Sequence, residues 1–291
     1  MPTLLSAWRA AAGRLKAAGV ETPSIDARLL LEAAADVGRA EILAEPHRVL
    51  EPDAEARFNG FVGRRADRAP VSQILGRKGF WTLMLRVTPQ VLTPRPETET
   101  LVEAALAAAP VDRPLTVLDL GVGSGAVILA ILAERPLARG LGVDASEEAI
   151  AVARDNAAQL GLAGRLALLR GDWGAGLAAA SFDLVVANPP YIASGEIASL
   201  APEVRNHEPA IALDGGPDGL SAYRRLAPET LALLKAGGAF AFEIGCDQSL
   251  AVEALFRAAG AADLRAVKDL AGRDRVIAGS KKGLGKRPSN R

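Results

Sequence analysis

The chain has few of the features that mark secreted, membrane or strongly charged proteins. Its single cysteine, Cys246, excludes an internal disulfide bond and fits a reducing compartment. The 34 basic residues balance the 34 acidic ones, which argues against nucleic-acid binding driven by overall charge. There is no uncharged apolar run of about 18 residues, and the N-terminus lacks the continuous apolar region of a signal peptide. We therefore expect a cytoplasmic protein without a membrane span.

Apolar residues are abundant and fall into segments of different character. They make up 49% of the 291 residues, which is enough for a sizeable core. Residues 1–70 repeat apolar positions at helical spacing, punctuated by glycine and proline, and predict a small helical domain without strands. Residues 71–95 contain the alternating stretch GFWTLMLRVTP, which predicts a β-hairpin linker.

Strand and helix patterns alternate through residues 96–280, beginning with LTVLDL at 115–120. Such alternation predicts an α/β domain in which helices cover both faces of a parallel sheet. The last two strands, near LRAVKD and DRVIAGS, are candidates for an antiparallel edge. Residues 281–291 are basic and rich in glycine, and we expect a flexible tail there.

A glycine-rich turn follows the first strand of this domain. Gly121, Gly123 and Gly125 allow a tight turn and a close approach of ligand to backbone, just before a helix N-terminus. Asp144 ends the next strand, about 20 residues on, where a carboxylate can accept hydrogen bonds from ribose hydroxyls. A nicotinamide dinucleotide and S-adenosylmethionine both fit this pattern, and a tight turn without a ligand is the third interpretation.

Asp172 and Trp173 close the third strand, at the same predicted edge of the sheet. The acid can accept a hydrogen bond from an adenine amino group, and the indole can stack beside the ring. The alternative is a partly buried tryptophan that contacts no ligand.

The fourth strand, FDLVVA, ends in Asn188-Pro189-Pro190-Tyr191, which we interpret as a polar cup for a planar nitrogen group. The Asn188 side-chain oxygen and the Pro189 carbonyl can accept hydrogen bonds from both N–H groups of an amide or amino group. The Tyr191 ring can pack against it. A dehydrogenase has no use for such a cup, so this motif favours methyl transfer from a sulfonium, while a rigid turn is the alternative.

With these motifs the chain resembles the release-factor glutamine N5-methyltransferases, the PrmC/HemK family, over nearly its whole length. The motifs occur in this order: PVSQILGRKGFW, LTPRPETE, DLGVGSGA, GVD, GDW, NPPYI, EPAIALDGGPDGL and FEIG. The resemblance implies a Rossmann-like class I methyltransferase domain with a seven-stranded, mostly parallel sheet, preceded by a helical substrate-binding domain. It also implies methylation of the glutamine in the Gly-Gly-Gln motif of peptide-chain release factors.

The resemblance also implies roles for individual residues. We expect a monomer that uses no metal ion and does not bind nucleic acid directly. The cofactor S-adenosylmethionine would contact Gly121, Val122, Gly123, Ser124, Gly125, Asp144, Asp172, Trp173, Asn188, Arg95 and Glu97. The glutamine would contact Asn188, Pro189, Pro190, Tyr191 and Phe80. Alternatives are a structural ion pair for Arg95, core packing for Phe80 and Trp81, and mere support of the sheet edge for Glu243.

Other functions remain open on the sequence alone. An amino-methyltransferase of nucleic-acid bases would use the same cup. Such an enzyme needs a basic surface to hold phosphates, and RRADR at 64–68 together with the tail supplies only a small basic patch. A cofactor-binding protein without catalysis and a nicotinamide oxidoreductase are further alternatives, and the intact NPPY motif argues against both.

Overall fold

A computed structural model describes residues 1–283, and the chain divides into two compact units. The first unit comprises residues 1–77 together with residues 200–207. The second unit comprises residues 78–199 and the chain from residue 208 onward. Among the described residues, no helix is long and apolar enough to cross a membrane.

Five helices form the first part of unit one. They are α1 (Leu4–Ala17), α2 (Pro23–Ala35), α3 (Arg39–Ala44), α4 (Pro52–Ala66) and α5 (Val71–Leu75). Their apolar faces meet in a buried core that includes Leu15, Leu30 and Phe58. The helical patterns of α1, α2 and α4 were predicted. The short helices α3 and α5 were not, because five or six residues are too few to show a helical period. The predicted hairpin linker therefore starts after residue 75.

The segment 200–207 joins the helices of unit one through side chains. It contains the short helix α9 (Pro202–Arg205), whose Glu203 accepts hydrogen bonds from Arg65 at 2.9 Å and Arg68 at 2.7 Å. Gln73 donates to the backbone carbonyl of His207 at 2.8 Å. These contacts link residues about 135 positions apart in the chain, so no local pattern predicts them.

The predicted hairpin is confirmed at residues 77–86. Strands β1 (Arg77–Phe80) and β2 (Leu83–Arg86) form a two-stranded sheet. Trp81 lies in the turn with a positive φ of 55°, and its backbone N–H donates to the Glu99 carboxylate at 2.8 Å.

Seven strands form the sheet of unit two, as predicted. They are β3 (Leu115–Leu120), β4 (Ala138–Asp144), β5 (Leu166–Arg170), β6 (Phe182–Ala187), β7 (Leu234–Glu243), β8 (Ala261–Lys268) and β9 (Asp274–Lys281). The order across the sheet is β5-β4-β3-β6-β7-β9-β8. β3 to β7 are parallel, and β9 is antiparallel to both β7 and β8, which confirms the predicted edge. Lys281 belongs to β9, so the predicted tail cannot begin there, and residues 284–291 lie outside the described part of the chain.

Helices pack on the sheet and enclose two apolar clusters. They are α6 (Glu99–Ala108), α7 (Ala126–Glu134), α8 (Glu147–Gln159), α10 (Ser221–Leu233) and α11 (Ser249–Ala258). One cluster contains Leu101, Ile128 and Val186. The other contains Leu118, Tyr223 and Phe256, and its residues Leu118 and Val185 alternate along their strands with residues of the first cluster. This alternation is the period-two pattern of a sheet buried on both faces.

The strand order places a crevice at the centre of the sheet. From β3 the chain proceeds to β4 and β5 on one side, and then to β6 and β7 on the other. In open parallel sheets, ligands bind where the order reverses, beyond the carboxyl ends of the strands. Leu120 at the end of β3 pairs with Val143 of β4 and Ala187 of β6. The glycine turn and Asn188 therefore emerge from adjacent strands at the same edge.

Candidate functional site

A cavity of about 700 Å³ lies at this edge of the sheet in unit two. Ten residues predicted for the site line it: Arg95, Gly121, Val122, Gly123, Ser124, Asp144, Asp172, Trp173, Asn188 and Pro190. Five others do not: Phe80, Glu97, Gly125, Pro189 and Tyr191. The structure thus brings the glycine turn and the NPPY segment to one cavity, although they are more than 60 residues apart.

The glycine turn has a backbone that other residues do not readily adopt. Gly121 and Gly123 have positive φ angles of 79° and 52°. A Cβ atom on Gly121 would also lie 3.2 Å from the Trp173 ring. Glycine is therefore required at this turn for its conformation and for the close approach of the indole. Gly125 does not line the cavity. It is the N-cap residue of α7 and has a positive φ of 82°.

Asp144 is held in place by backbone groups around the cavity. Its Oδ2 accepts a hydrogen bond from the Gly123 N–H and its Oδ1 accepts one from the Ser146 N–H, both at 2.9 Å. An ionised carboxylate has about four acceptor sites, so both oxygens keep capacity for ligand hydroxyls. Asp144 thus offers free acceptor sites at the cavity, and its contact with a ribose stays a prediction.

Asp119 is a cavity residue that the sequence reasoning missed. It lies two residues before Gly121 and is 2% exposed. Burial raises its pKa to about 7, a hydrogen bond with the Ile128 backbone opposes this rise, and the charge of Asp144 adds to it. The available signal was the single charged residue within the mainly apolar strand LTVLDL.

Asp172 and Trp173 both line the cavity but differ in their surroundings. Asp172 is largely exposed and pairs with Arg225 at 2.8 Å, and Arg225 is a second cavity residue that sequence reasoning missed. Trp173 packs against the core beside α10 and has a positive φ of 53°. The ion pair of Asp172 lies at the surface and leaves acceptor sites free for an adenine amino group.

The NPPY segment presents only part of the predicted cup to the cavity. Asn188 and Pro190 line it, and the Asn188 Nδ2 donates to the Thr98 hydroxyl at 3.4 Å. Pro189 is buried, and the Tyr191 hydroxyl donates to Glu243 Oε1 at 3.4 Å. Burial and the neighbouring Glu243 charge raise the pKa of Tyr191, so it stays neutral. The substrate contacts of the Pro189 carbonyl and the Tyr191 ring stay predictions.

Arg95 is both a cavity residue and an ion-pair partner. Its Nη2 lies 2.7 Å from each carboxylate oxygen of Glu208, whose side chain is 1% exposed. Burial raises the pKa of Glu208, and the Arg95 charge opposes that rise. The ion pair of the structural alternative is thus present, the contact of Arg95 with a ligand stays a prediction, and Glu208 is a third residue that the sequence reasoning missed.

Two further residues predicted to contact ligands lie outside the cavity lining, and their ligand contacts stay predictions. Phe80 is 2% exposed and packs in the core of unit two, so it forms no wall of the cavity. It occupies the one buried position of β1. Glu97 lies outside the cavity lining and faces Arg273 at 3.8 Å, since the turn at 96–98 directs Thr98 rather than Glu97 inward. Trp81 donates through Nε1 to Glu134 at 2.8 Å and also lies outside the cavity lining.

Comparison with known proteins identifies similar sequences over both units. Residues 6–76 match the family described as PrmC N-terminal domain, and residues 98–205 match the Methyltransferase small domain. The chain is 61% identical to the release factor glutamine methyltransferase of Caulobacter vibrioides, over 97% of this chain and 98% of the relative. It is 48% identical to that of Cereibacter sphaeroides, over 93% of this chain and 96% of the relative.

Solved structures support the fold of unit two. The catalytic domain of hMettl16, solved in complex with the MAT2A 3′UTR hairpin 1, matches with a TM-score of 0.58 and 16% identity, over 78% of this chain and 82% of that one. A methyltransferase from Pyrococcus furiosus matches with a TM-score of 0.50 and 17% identity, over 69% of this chain and 89% of that one. At such low identity these matches bear on the fold alone.

Proposed function

The chain belongs to the family of release factor glutamine methyltransferases, and we propose that it methylates a release factor. The methyl group would pass from S-adenosylmethionine to the side-chain amide nitrogen, N5, of the glutamine in the Gly-Gly-Gln motif. Its bond to sulfur would break to leave S-adenosylhomocysteine, and the methylated nitrogen would then lose one proton. One observation carries the proposal: a single cavity is lined by the glycine turn, by Asp144 and by Asn188.

The residues of the cavity fit S-adenosylmethionine. The turn has no Cβ at Gly121 or Gly123, so a ligand can approach its backbone N–H groups. The carboxylate of Asp144 is already oriented by two backbone N–H groups. The residues proposed to hold the cofactor are Gly121, Val122, Gly123, Ser124, Asp144, Asp172 and Trp173. When bound, the cofactor supplies a methyl group on a positively charged sulfur.

The chain's own contribution to the reaction is to orient the glutamine amide. The nitrogen of an amide is a poor nucleophile because its lone pair is delocalised. Asn188 would accept a hydrogen bond from one amide N–H through Oδ1, which shifts electron density toward that nitrogen and fixes its direction. The carbonyl of Pro189 would accept the other, and the rigid Pro189-Pro190 backbone would hold it in place. Positioning and electrostatics then account for the rate enhancement.

The proposal is tested by methyl transfer from labelled S-adenosylmethionine to a purified release factor. A release factor with the motif glutamine changed to alanine, bulk RNA and bulk DNA are incubated in parallel. We expect label only on the release factor that keeps the motif glutamine. Label on RNA or DNA, with none on the release factor, would refute the proposal and favour the base-methylating alternative.

A further inference from the structure

Three sequence motifs meet where the NPPY segment ends, and the proposed reaction uses only one of them. They are NPPY itself, the glycine loop within EPAIALDGGPDGL and the FEIG turn that follows β7. Just after NPPY, the backbone runs parallel to the glycine loop. The Ile192 N–H donates to the Leu213 carbonyl at 3.1 Å, and the Gly215 N–H donates to the Ile192 carbonyl at 2.8 Å. The glycine loop therefore lies directly beside the end of NPPY.

One side chain connects all three motifs. Gln248 is the N-cap residue of α11. Its Nε2 donates to the Tyr191 carbonyl of NPPY at 2.9 Å and to the Gly219 carbonyl of the glycine loop at 3.4 Å. Its Oε1 accepts from the Gly245 N–H of the FEIG turn at 3.0 Å. The amide group of Gln248 is thus hydrogen-bonded to the backbone of each motif.

These partners fix the orientation of the Gln248 amide. Two of them are carbonyl oxygens, which only accept hydrogen bonds, and the third is a backbone N–H, which only donates. A flipped amide would place Oε1 against both carbonyls and its NH2 group against an N–H. Glutamine has donors and an acceptor on one flat group, so it satisfies all three partners. Leucine satisfies none of them, and a glutamate carboxylate satisfies only the N–H.

The NPPY segment needs such a contact because its own backbone offers few. Pro189 and Pro190 carry no N–H, so neither can donate a hydrogen bond to the surrounding structure. Before them, Ala187 is held by its pairing with both neighbouring strands of the sheet. After them, the Tyr191 carbonyl is held by Gln248. With both ends fixed and the φ angles of the prolines restricted, the carbonyls between these ends have little freedom to turn.

Gly219 brings the glycine loop close enough for this arrangement. A Cβ atom at this position would lie 2.4 Å from the Tyr191 carbonyl oxygen and 2.5 Å from Gln248 Nε2. Its φ is also positive, at 74°. A larger residue at 219 would therefore separate the glutamine from the carbonyl that it binds.

We propose that Gln248 is a positioning residue for the methyl transfer. It fixes the end of the NPPY segment through the Tyr191 carbonyl and so keeps the Pro189 carbonyl in place to accept from the substrate amide. Gln248 lies outside the cavity lining, so it acts through NPPY and touches neither substrate nor cofactor. The inference rests on the proposed function, because the direction of the Pro189 carbonyl matters only for a substrate that donates an N–H group.

The first test compares Gln248→Leu and Gln248→Glu in the release-factor assay. Gln248→Glu keeps the acceptor for the Gly245 N–H and loses the donor to Tyr191. Both variants should lower kcat roughly tenfold, because small displacements of an orienting group are costly at a reacting centre. The KM for S-adenosylmethionine should change by less than about twofold, since the residues proposed to hold the cofactor at Gly121–Ser124 and Asp144 follow or end other strands. The exposed Gln159 supplies the matched control, and Gln159→Leu should keep wild-type kcat.

A second variant reaches the same contact from the glycine loop. Gly219→Ala should also lower kcat, and the double variant Gly219→Ala/Gln248→Leu should lose no more than the larger single loss, because both changes break one contact. Gly176→Ala is the control for backbone strain. Gly176 has a similar φ of 78°, but nothing lies within 4 Å of the added Cβ, so wild-type kcat should remain. Additive losses in the double variant would overturn the shared contact.

A spectroscopic measurement separates this inference from the proposed reaction. The chain has two tyrosines, and only Tyr191 precedes an isoleucine. Protein labelled with 13C at tyrosine carbonyls and 15N at isoleucine therefore gives one correlated signal, which reports the Tyr191 carbonyl. A carbonyl carbon resonates at higher frequency when its oxygen accepts a hydrogen bond. The signal should therefore move to lower frequency in Gln248→Leu and Gln248→Glu, and stay in place in Gln159→Leu.

The carbonyl signal and the kinetics together decide the role of Gln248. A signal that stays in place in Gln248→Leu would overturn the contact, and a displaced signal with wild-type kcat would overturn the positioning role. If the wild-type protein labels no release factor, the proposed function fails. The Tyr191 signal needs no release factor, so it still shows whether Gln248 holds the NPPY segment.

Discussion

The two parts of the cavity lining are built in different ways. The glycine part consists of Gly121–Ser124 and Asp144. Positive φ angles of its glycines give the turn its shape, and nearby backbone N–H groups fix the Asp144 carboxylate. The amide part, Asn188 with Thr98 and Arg95, is made of side chains. These are held by partners from distant segments, at separations of 90 and 113 residues. The first depends on a local conformation and the second on the packing of the whole domain, so the two should respond differently to substitution.

The largest effect is expected in the amide part, from Asn188→Ala. Removing the oriented acceptor should lower kcat about a hundredfold or more, the range for one preorganised hydrogen-bonding group at a reacting centre. The exposed Asn206 is the matched control, and Asn206→Ala should keep wild-type kcat. Steady-state kinetics with the release factor measure both. Equal activity of the two variants would remove Asn188 from the reaction.

The next effect concerns stability, through Arg95→Ala. The variant leaves the Glu208 carboxylate buried without its cation, which should lower the unfolding free energy by about 2 kcal/mol. This cost is smaller than for a fully buried ion pair because Arg95 is partly exposed. Burial already raises the pKa of Glu208, and losing Arg95 raises it further. The cost should therefore be full above that pKa and shrink as the pH falls and the carboxyl group protonates.

Urea unfolding at pH 8 and pH 5 measures this effect. The double variant Arg95→Ala/Glu208→Gln removes the buried charge and should regain most of the loss at pH 8. A cost that is the same at both pH values would show that Glu208 protonation has no part in it.

The glycine part is tested by Gly121→Ala beside Gly161→Ala. Both glycines have a positive φ, 79° and 71°, so each alanine should cost about 1–2 kcal/mol in backbone strain. Only at Gly121 does the new Cβ meet the Trp173 ring, whereas nothing lies within 4 Å at Gly161. Gly121→Ala should therefore also raise the KM for S-adenosylmethionine, roughly tenfold for a loss of about 1.4 kcal/mol. An unchanged KM in Gly121→Ala would mean that the turn does not hold the cofactor.

The smallest effect is a gain in stability from Thr230→Val, which lies in neither part. The variant removes a buried hydroxyl without a partner, and the unfolding free energy should increase by up to about 1 kcal/mol. Thermal unfolding measures the change. A loss would imply that the hydroxyl has a partner in solution.

The contrast between the two parts also explains how much the sequence could predict. The strand–helix alternation predicted the sheet, and the glycine turn with Asp144 lies within 25 residues, where local rules apply. NPPY predicted Asn188, but not its partner Thr98. Phe80 was misplaced because an aromatic residue looks the same in a core and in a pocket wall. No local pattern could predict that residues 200–207 belong to unit one, because Glu203 contacts Arg65 and Arg68 only in the folded chain.

The most direct test of the central claim is to locate the transferred methyl group. A release factor incubated with S-adenosylmethionine and the wild-type protein, Asn188→Ala or Asn206→Ala is digested and sequenced by tandem mass spectrometry. We predict one added methyl group on the side chain of the Gly-Gly-Gln glutamine, formed by the wild-type protein and Asn206→Ala but not by Asn188→Ala. A methyl group on another residue, or equal modification by Asn188→Ala, would contradict the account.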